Sequence, residues 1–142
     1  MPNQGISHYN SETDKTQIFK ETKSQSGIYK WTLLELGKIY IGSAINLSNR
    51  LSNYYNKSYL NRYNSRIYNA INCHGYEAFS LTILEYLDIF NLSKEKAQIL
   101  ILEREQYYLD LIFLVNEPNI YNILMKAGSS LGYKYFPEIL KI

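Results

Sequence analysis

Two short runs of strand-forming residues, Ile28-Tyr29-Lys30-Trp31-Thr32-Leu33 and Lys38-Ile39-Tyr40-Ile41-Gly42, flank the turn-like stretch Glu35-Leu36-Gly37. β-Branched and aromatic side chains favour extended backbone, and glycine supplies a positive φ where a tight turn needs one. The chain is expected to fold back on itself here as a β-hairpin. The register has chemical consequences. Tyr29 and Tyr40 are eleven residues apart, and residues paired across a hairpin share a face. An even-length loop puts both phenols on one side. A Leu36-Gly37 loop that pairs Glu35 with Lys38 satisfies this condition. Gly42 then lies close by, with no side chain to keep a backbone or a phosphate away. Two strand tyrosines can also be plain packing residues.

The remaining elements follow from periodicity. In residues 1–25 apolar residues are too sparse to set a period, and a flexible leader is expected there. After the hairpin, Leu47, Leu51 and Tyr54 recur at helical spacing, predicting a helix over 47–55 with Asn46 as its N-cap. A polar loop comes next. A second helix over 65–73 turns Ile67, Ala70 and Ile71 inward and meets Gly75 at its C-terminal end. Residues 79–86 read as a third strand, and Ser93 opens a long helix reaching about Ile112. An extended segment around Pro118 spans 115–124, and the Gly- and Ser-containing tail from Lys126 reads as loop. The order β-β-α-α-β-α describes an α/β fold, a small three-stranded antiparallel sheet flanked by helices. The expected organisation is a leader (1–25), one compact domain (26–125) and a linker-like tail (126–142).

Several functions fall away on composition. No run approaches ~18 consecutive apolar residues, so no membrane-spanning helix is expected. The polar N-terminus has neither an apolar signal run nor an Arg-rich presequence. Cys73 is the only cysteine, which excludes an intrachain disulfide and a cysteine zinc site. Cys73 reads as a small core residue and not a nucleophile, since its sequence neighbour His74, in the last turn of the same helix, is not placed to activate it. His8 and His74 are too far apart in sequence to suggest a ligand pair, and His74 suits a helix C-terminus. Any metal here would need carboxylates.

The net charge of +2 conceals an asymmetry. Between Lys23 and Tyr76 the basic residues are Lys23, Lys30, Lys38, Arg50, Lys57, Arg62 and Arg66, and the only acid is Glu35. From Glu77 to Glu117 the sign reverses. A basic half with interleaved tyrosines suits a phosphate backbone. Ordinary solvated side chains would give the same count. The 15 tyrosines, with abundant Asn, Ile and Lys, are residues of AT-rich codons, a hint of an AT-rich genome such as an organelle's.

Two helical wheels single out further residues. At ~100° per residue, Arg50 falls beside Leu47 and Tyr54, on the flank of the core-facing side. There its planar fork can reach a phosphate over the sheet edge, or its stem can cover apolar surface. On the long helix, Ala97, Leu100, Ile101, Arg104, Tyr108, Leu111 and Ile112 cluster on one side. Glu103 falls far round the wheel. Glu105 falls among Ile101, Leu109 and Ile112. A carboxylate in that company needs a partner or a metal. Arg104 is one candidate partner.

Gly27-Ile28-Tyr29 and Tyr40-Ile41-Gly42 resemble the two triplets that name the GIY-YIG nuclease family. Gly42-Ser43-Ala44 followed by Arg50 is similar to the family's arginine helix, and Glu103-Arg104-Glu105-Gln106-Tyr107-Tyr108 to its glutamate helix. Tyr121-Asn122 resembles its closing Tyr-Asn. Residues 127–133 resemble a linker of fungal mitochondrial, intron-encoded members. Elements in this order and spacing are far more specific than either triplet alone.

The resemblance implies hydrolysis of phosphodiester bonds in double-stranded DNA by a monomeric chain, with Tyr29, Tyr40, Arg50, Glu105 and Asn122 at the site. Glu105 would hold Mg²⁺ or Mn²⁺, Arg50 would clamp the phosphate, and Tyr29 would take a proton from the attacking water. Gly42, Lys30, Lys38, Lys57, Arg62 and Arg66 would contact DNA. It further implies a homing endonuclease encoded in a group I intron and located in the mitochondrion. Phage-encoded members carry histidines where Tyr54 and Arg62 stand here, which leaves proton transfer more dependent on Tyr29. Relatives often continue into small DNA-binding helices, for which 136–142 is too short. A decayed module that binds nucleic acid without cutting it is the alternative.

Overall fold

The computed structural model describes residues 7–116, with side chains over 9–112. A four-stranded antiparallel sheet forms the centre, in the order β1-β4-β2-β3. Its strands are β1 (Ser7–Asn10), β2 (Ser26–Leu33), β3 (Lys38–Ala44) and β4 (Phe79–Leu87). Helix α1 (Lys15–Thr22) joins β1 to β2. Helices α2 (Leu47–Tyr54), α3 (Lys57–Arg62) and α4 (Arg66–His74) lie between β3 and β4, and α5 (Lys94–Asn116) follows β4.

The α/β class and the antiparallel sheet agree with the sequence, but the sheet has a fourth strand. Part of the expected leader supplies it. β1 pairs with β4, and Ile18 of α1 is fully buried. The expected polar loop after α2 contains α3, a six-residue helix whose N-cap Asn56 accepts from the Tyr59 N–H. Helix α5 runs through Asn116, so the segment expected to be extended from residue 115 begins as helix. Pro118, Asn122 and the tail lie outside the described residues.

The hairpin forms with a longer loop than Leu36-Gly37. Leu33 pairs with Lys38, leaving four residues in the turn. Gly37 takes φ 70°, and its N–H donates to the Leu33 carbonyl at 2.7 Å. The loop is still even in length, so the parity argument holds. Tyr29 pairs with Gly42 and Trp31 with Tyr40, which puts both phenols on one face.

That face carries the larger core. Tyr29, Trp31 and Leu33 pack with Phe79, Leu81 and Ile83 against buried residues of the helices, among them Ile18, Leu47, Leu51 and Tyr54. The opposite face carries Ile28 and Ile41, which pack on Leu109 of α5. On α5, Ala97, Ile101, Glu105 and Leu109 are buried at four-residue intervals, while Leu111, expected inward, is 44% exposed. Cys73, expected in the core, is exposed. It follows the α4 turn that buries Ala70 and Ile71, and helical geometry carries it round to solvent. β3 is an edge strand. The small helices approach this edge from one face and α5 from the other.

Candidate active site

Along the β3 edge lies a cavity of about 920 Å³ lined by Tyr29, Tyr40, Gly42, Arg50 and Glu105, together with residues of α2, α3 and α4. The hairpin register sets the two tyrosines. Asn46 caps α2 by accepting from the Asn49 N–H at 3.1 Å, and so fixes the turn that carries Arg50. The buried stripe of α5 delivers Glu105. Glu103, two residues away, is exposed.

Gly42 lines the cavity and also makes room within the hairpin. An added Cβ would lie 2.5 Å from both Cζ and the hydroxyl of Tyr29. The missing side chain makes room for the phenol across the ladder. The Tyr29 hydroxyl lies 3.0 Å from that of Tyr54, which in turn accepts from Arg50 Nη2 at 3.4 Å. The guanidinium sits 4.8 Å from the Tyr54 ring centroid and 5.9 Å from that of Tyr68. Arg50 is thus held by rings, with Nη1 buried and without a hydrogen-bond acceptor among the described residues. The guanidinium as a whole lines the cavity, and its charge favours an arriving oxyanion there.

Burial pushes the Tyr29 phenol above its ordinary range, and the nearby Arg50 charge pulls it back only in part. The sequence reading required the positive field to lower this value. Here desolvation outweighs it, so Tyr29 is a neutral phenol near neutrality. Tyr40 and Tyr54 are pushed up by the same cause.

Glu105 is 7% exposed, and its Oε1 accepts from Ser43 Oγ at 2.5 Å. Sequence reasoning passed over Ser43 except as part of a motif. Arg104, the partner considered for Glu105, instead pairs with Glu85 at 2.8 Å, and Tyr108 donates to the same Glu85 oxygen.

Of the residues expected to contact DNA, Gly42 and Arg62 line the cavity and the others do not. Lys30 alternates with Tyr29 and therefore lies on the opposite face, half-buried, with its pKa pulled down by desolvation. Lys38 is at the turn end of β3. Lys57 donates to Asn72 Oδ1 at 3.4 Å and sits over the Tyr76 ring. Arg66 is exposed at the start of α4. Linear charge density does not specify a face. The cavity takes uncharged amides in their place, with Asn49 and Asn53 one turn apart on α2. Asn122 lies outside the described residues.

A deep arginine beside phenols, facing a carboxylate across an open cleft, is the equipment of a hydrolase for phosphate esters. Residues 25–112 match the GIY-YIG catalytic domain, and the chain belongs to that family; it is a nuclease. Among solved structures, the chain is similar to the catalytic domain of the homing endonuclease I-TevI, at 29% identity and a TM-score of 0.50, covering 69% of this chain and 97% of that one. It is similar also to a mutant of the catalytic domain of intron endonuclease I-TevI, at 27% identity and a TM-score of 0.52, covering 70% and 93%. Comparison with curated proteins finds no match.

Proposed function

We propose that the chain is a metal-dependent DNA endonuclease of the homing type, encoded in a group I intron of a mitochondrial genome and acting as a monomer on double-stranded DNA. The observation that carries the reading is the meeting of Arg50 and Glu105, borne by helices on opposite faces of the sheet, in one cavity at the β3 edge. The similarity to I-TevI supports the homing reading, and the AT-rich codon composition supports the organelle.

The family implies a divalent metal. Among the described residues no three His, Cys, Asp or Glu side chains gather into a metal site. A single carboxylate beside an open cavity fits Mg²⁺ or Mn²⁺, which keeps several waters and takes phosphate oxygens as ligands. Glu105 would hold it, with Ser43 fixing the carboxylate. The ion would supply charge stabilisation at the phosphate and the leaving oxygen.

The chain's own residues account for the rest. Arg50, which lines the cavity, clamps a non-bridging phosphate oxygen through its guanidinium. Tyr40 orients the phosphate or the attacking water by its hydroxyl. Tyr29, in the minor fraction ionised to phenolate, takes the proton of the water whose oxygen bonds to phosphorus. One P–O ester bond breaks, and the departing oxygen collects a proton from solvent. The test is nicking of supercoiled plasmid with Mg²⁺, with and without chelator, for the wild type and Glu105→Ala. Chelator-sensitive nicking that Glu105→Ala loses is expected. DNA binding with no nicking under any divalent cation would instead identify a binding module.

A further inference from the structure

The part of the cavity lined by α3 carries features that cleavage of a phosphodiester does not require. Tyr63 caps the C-terminus of α3, and the residue is 46% exposed although its backbone N–H donates to the Tyr59 carbonyl. The Tyr59 ring lies 4.6 Å from it, and Tyr59 packs in turn on Tyr68 at 5.8 Å. Tyr68 is one of the two rings beside Arg50. A short series of rings therefore leads from solvent to the buried guanidinium. The Arg62 guanidinium lies 5.9 Å from the Tyr63 centroid. Arg62, Tyr63, Arg50 and Glu105 all line the same cavity.

An exposed aromatic ring held in place by a second ring, with an arginine beside it, has the chemistry of a stacking surface for a nucleobase. Every base has a π-face, so such a surface is tolerant of sequence. In intact duplex both faces of a base are already covered by its neighbours, and no side-chain ring can reach them without unstacking. The ring is of use only to a base that has left the stack. We propose that Tyr63, backed by Tyr59 and Arg62, forms a subsite for an unpaired nucleobase next to the phosphate held at Arg50, so that among double-stranded DNAs those carrying an extrahelical or unpaired nucleotide near the cut are the preferred substrates. This rests on the nuclease reading and specifies its substrate. Continuity with the catalytic cavity and the positive charge of Arg62 favour nucleic acid over a protein segment as the occupant.

The test uses the full chain with Glu105→Gln, so that bound DNA stays intact. Affinity is measured for two duplexes differing only by one extrahelical 2-aminopurine, whose fluorescence is quenched on stacking. The bulged duplex is expected to bind roughly tenfold tighter, with quenching. A further Tyr63→Phe change is expected to keep the preference and the quenching. Tyr63→Ala is expected to reduce the preference below about threefold and to abolish the quenching. Equal affinities for the two duplexes would overturn the subsite. So would a preference that survives Tyr63→Ala, or one lost equally in Tyr63→Phe, which would point to the hydroxyl. Failure to bind either duplex would bring down the nuclease reading itself. Circular dichroism melting of each variant separates loss of stacking from loss of fold.

Discussion

Gly42 lies directly across the β2–β3 ladder from Tyr29, and the phenol occupies the volume a side chain at 42 would fill. Gly42→Ala places a methyl 2.5 Å from the ring. The phenol must move, and with it the contacts to Tyr54 and Arg50. Overpacking of this kind costs about 1–3 kcal/mol. Nicking should fall by at least a hundredfold, while the melting temperature drops by the roughly 3–12 °C such a cost implies. A Gly42→Ala variant that nicks at the wild-type rate would show that the position of Tyr29 is irrelevant to the chemistry.

The raised pKa of Tyr29 has a definite sign in the rate. If the reactive form is the phenolate, its fraction grows tenfold per pH unit as long as the pH is below the folded-state pKa. Burial moves that pKa upward from its ordinary value near 10. The single-turnover rate should therefore climb with a log slope near one from pH 7 to at least pH 9. A plateau reached by pH 7 would remove Tyr29 as the base, or would require bound DNA and metal to overcome the burial.

Ser43 joins the two sides of the site through one hydrogen bond between β3 and α5. A buried carboxylate that loses a hydroxyl donor turns toward whatever other partner it can reach. Ser43→Ala should raise the Mg²⁺ concentration needed for half-maximal nicking and lower the rate about 10- to 100-fold, as loss of a group orienting a metal ligand does. Ser43→Thr keeps the hydroxyl and should restore most of both. Mn²⁺ binding followed by paramagnetic resonance supplies a readout independent of turnover. Unchanged metal affinity in Ser43→Ala would reduce the contact to packing.

What the sequence made legible was whatever obeys a local period. Hairpin parity depends only on whether the loop is even, so the shared face of Tyr29 and Tyr40 survived an error of two residues in loop length. The wheel separates Glu105 from Glu103 because ~100° steps accumulate reliably along a regular helix. β1 and α1 were missed because Tyr9 and Ile18 are nearly the whole of their buried apolar contribution, too little to mark a period. α3 is too short to show one. The Ser43–Glu105 contact spans 62 residues of chain and leaves no local trace. The charge pattern did not place Lys30 for a related reason: position along the chain says nothing of sheet face until the register is known, and Lys30 lies on the face opposite Tyr29.

The pair Glu105 and Glu103 offers the sharpest test of the site as a whole. Both are on α5, but Glu105 is 7% exposed beside Ser43 and Glu103 faces solvent. Glu105→Gln is nearly isosteric, so the packing of its neighbours Ile101 and Leu109 should persist and the melting temperature should change little. The amide has lost the charge that a hard cation requires, so nicking should fall by at least a thousandfold at any Mg²⁺ concentration. Glu103→Gln should nick like the wild type. Measured side by side on one plasmid, the variants differ only in the helix face altered. A dead Glu103→Gln would place the metal on the outer face of α5, away from Arg50. A Glu105→Gln chain that unfolds would show that the carboxylate serves the fold through its buried contacts.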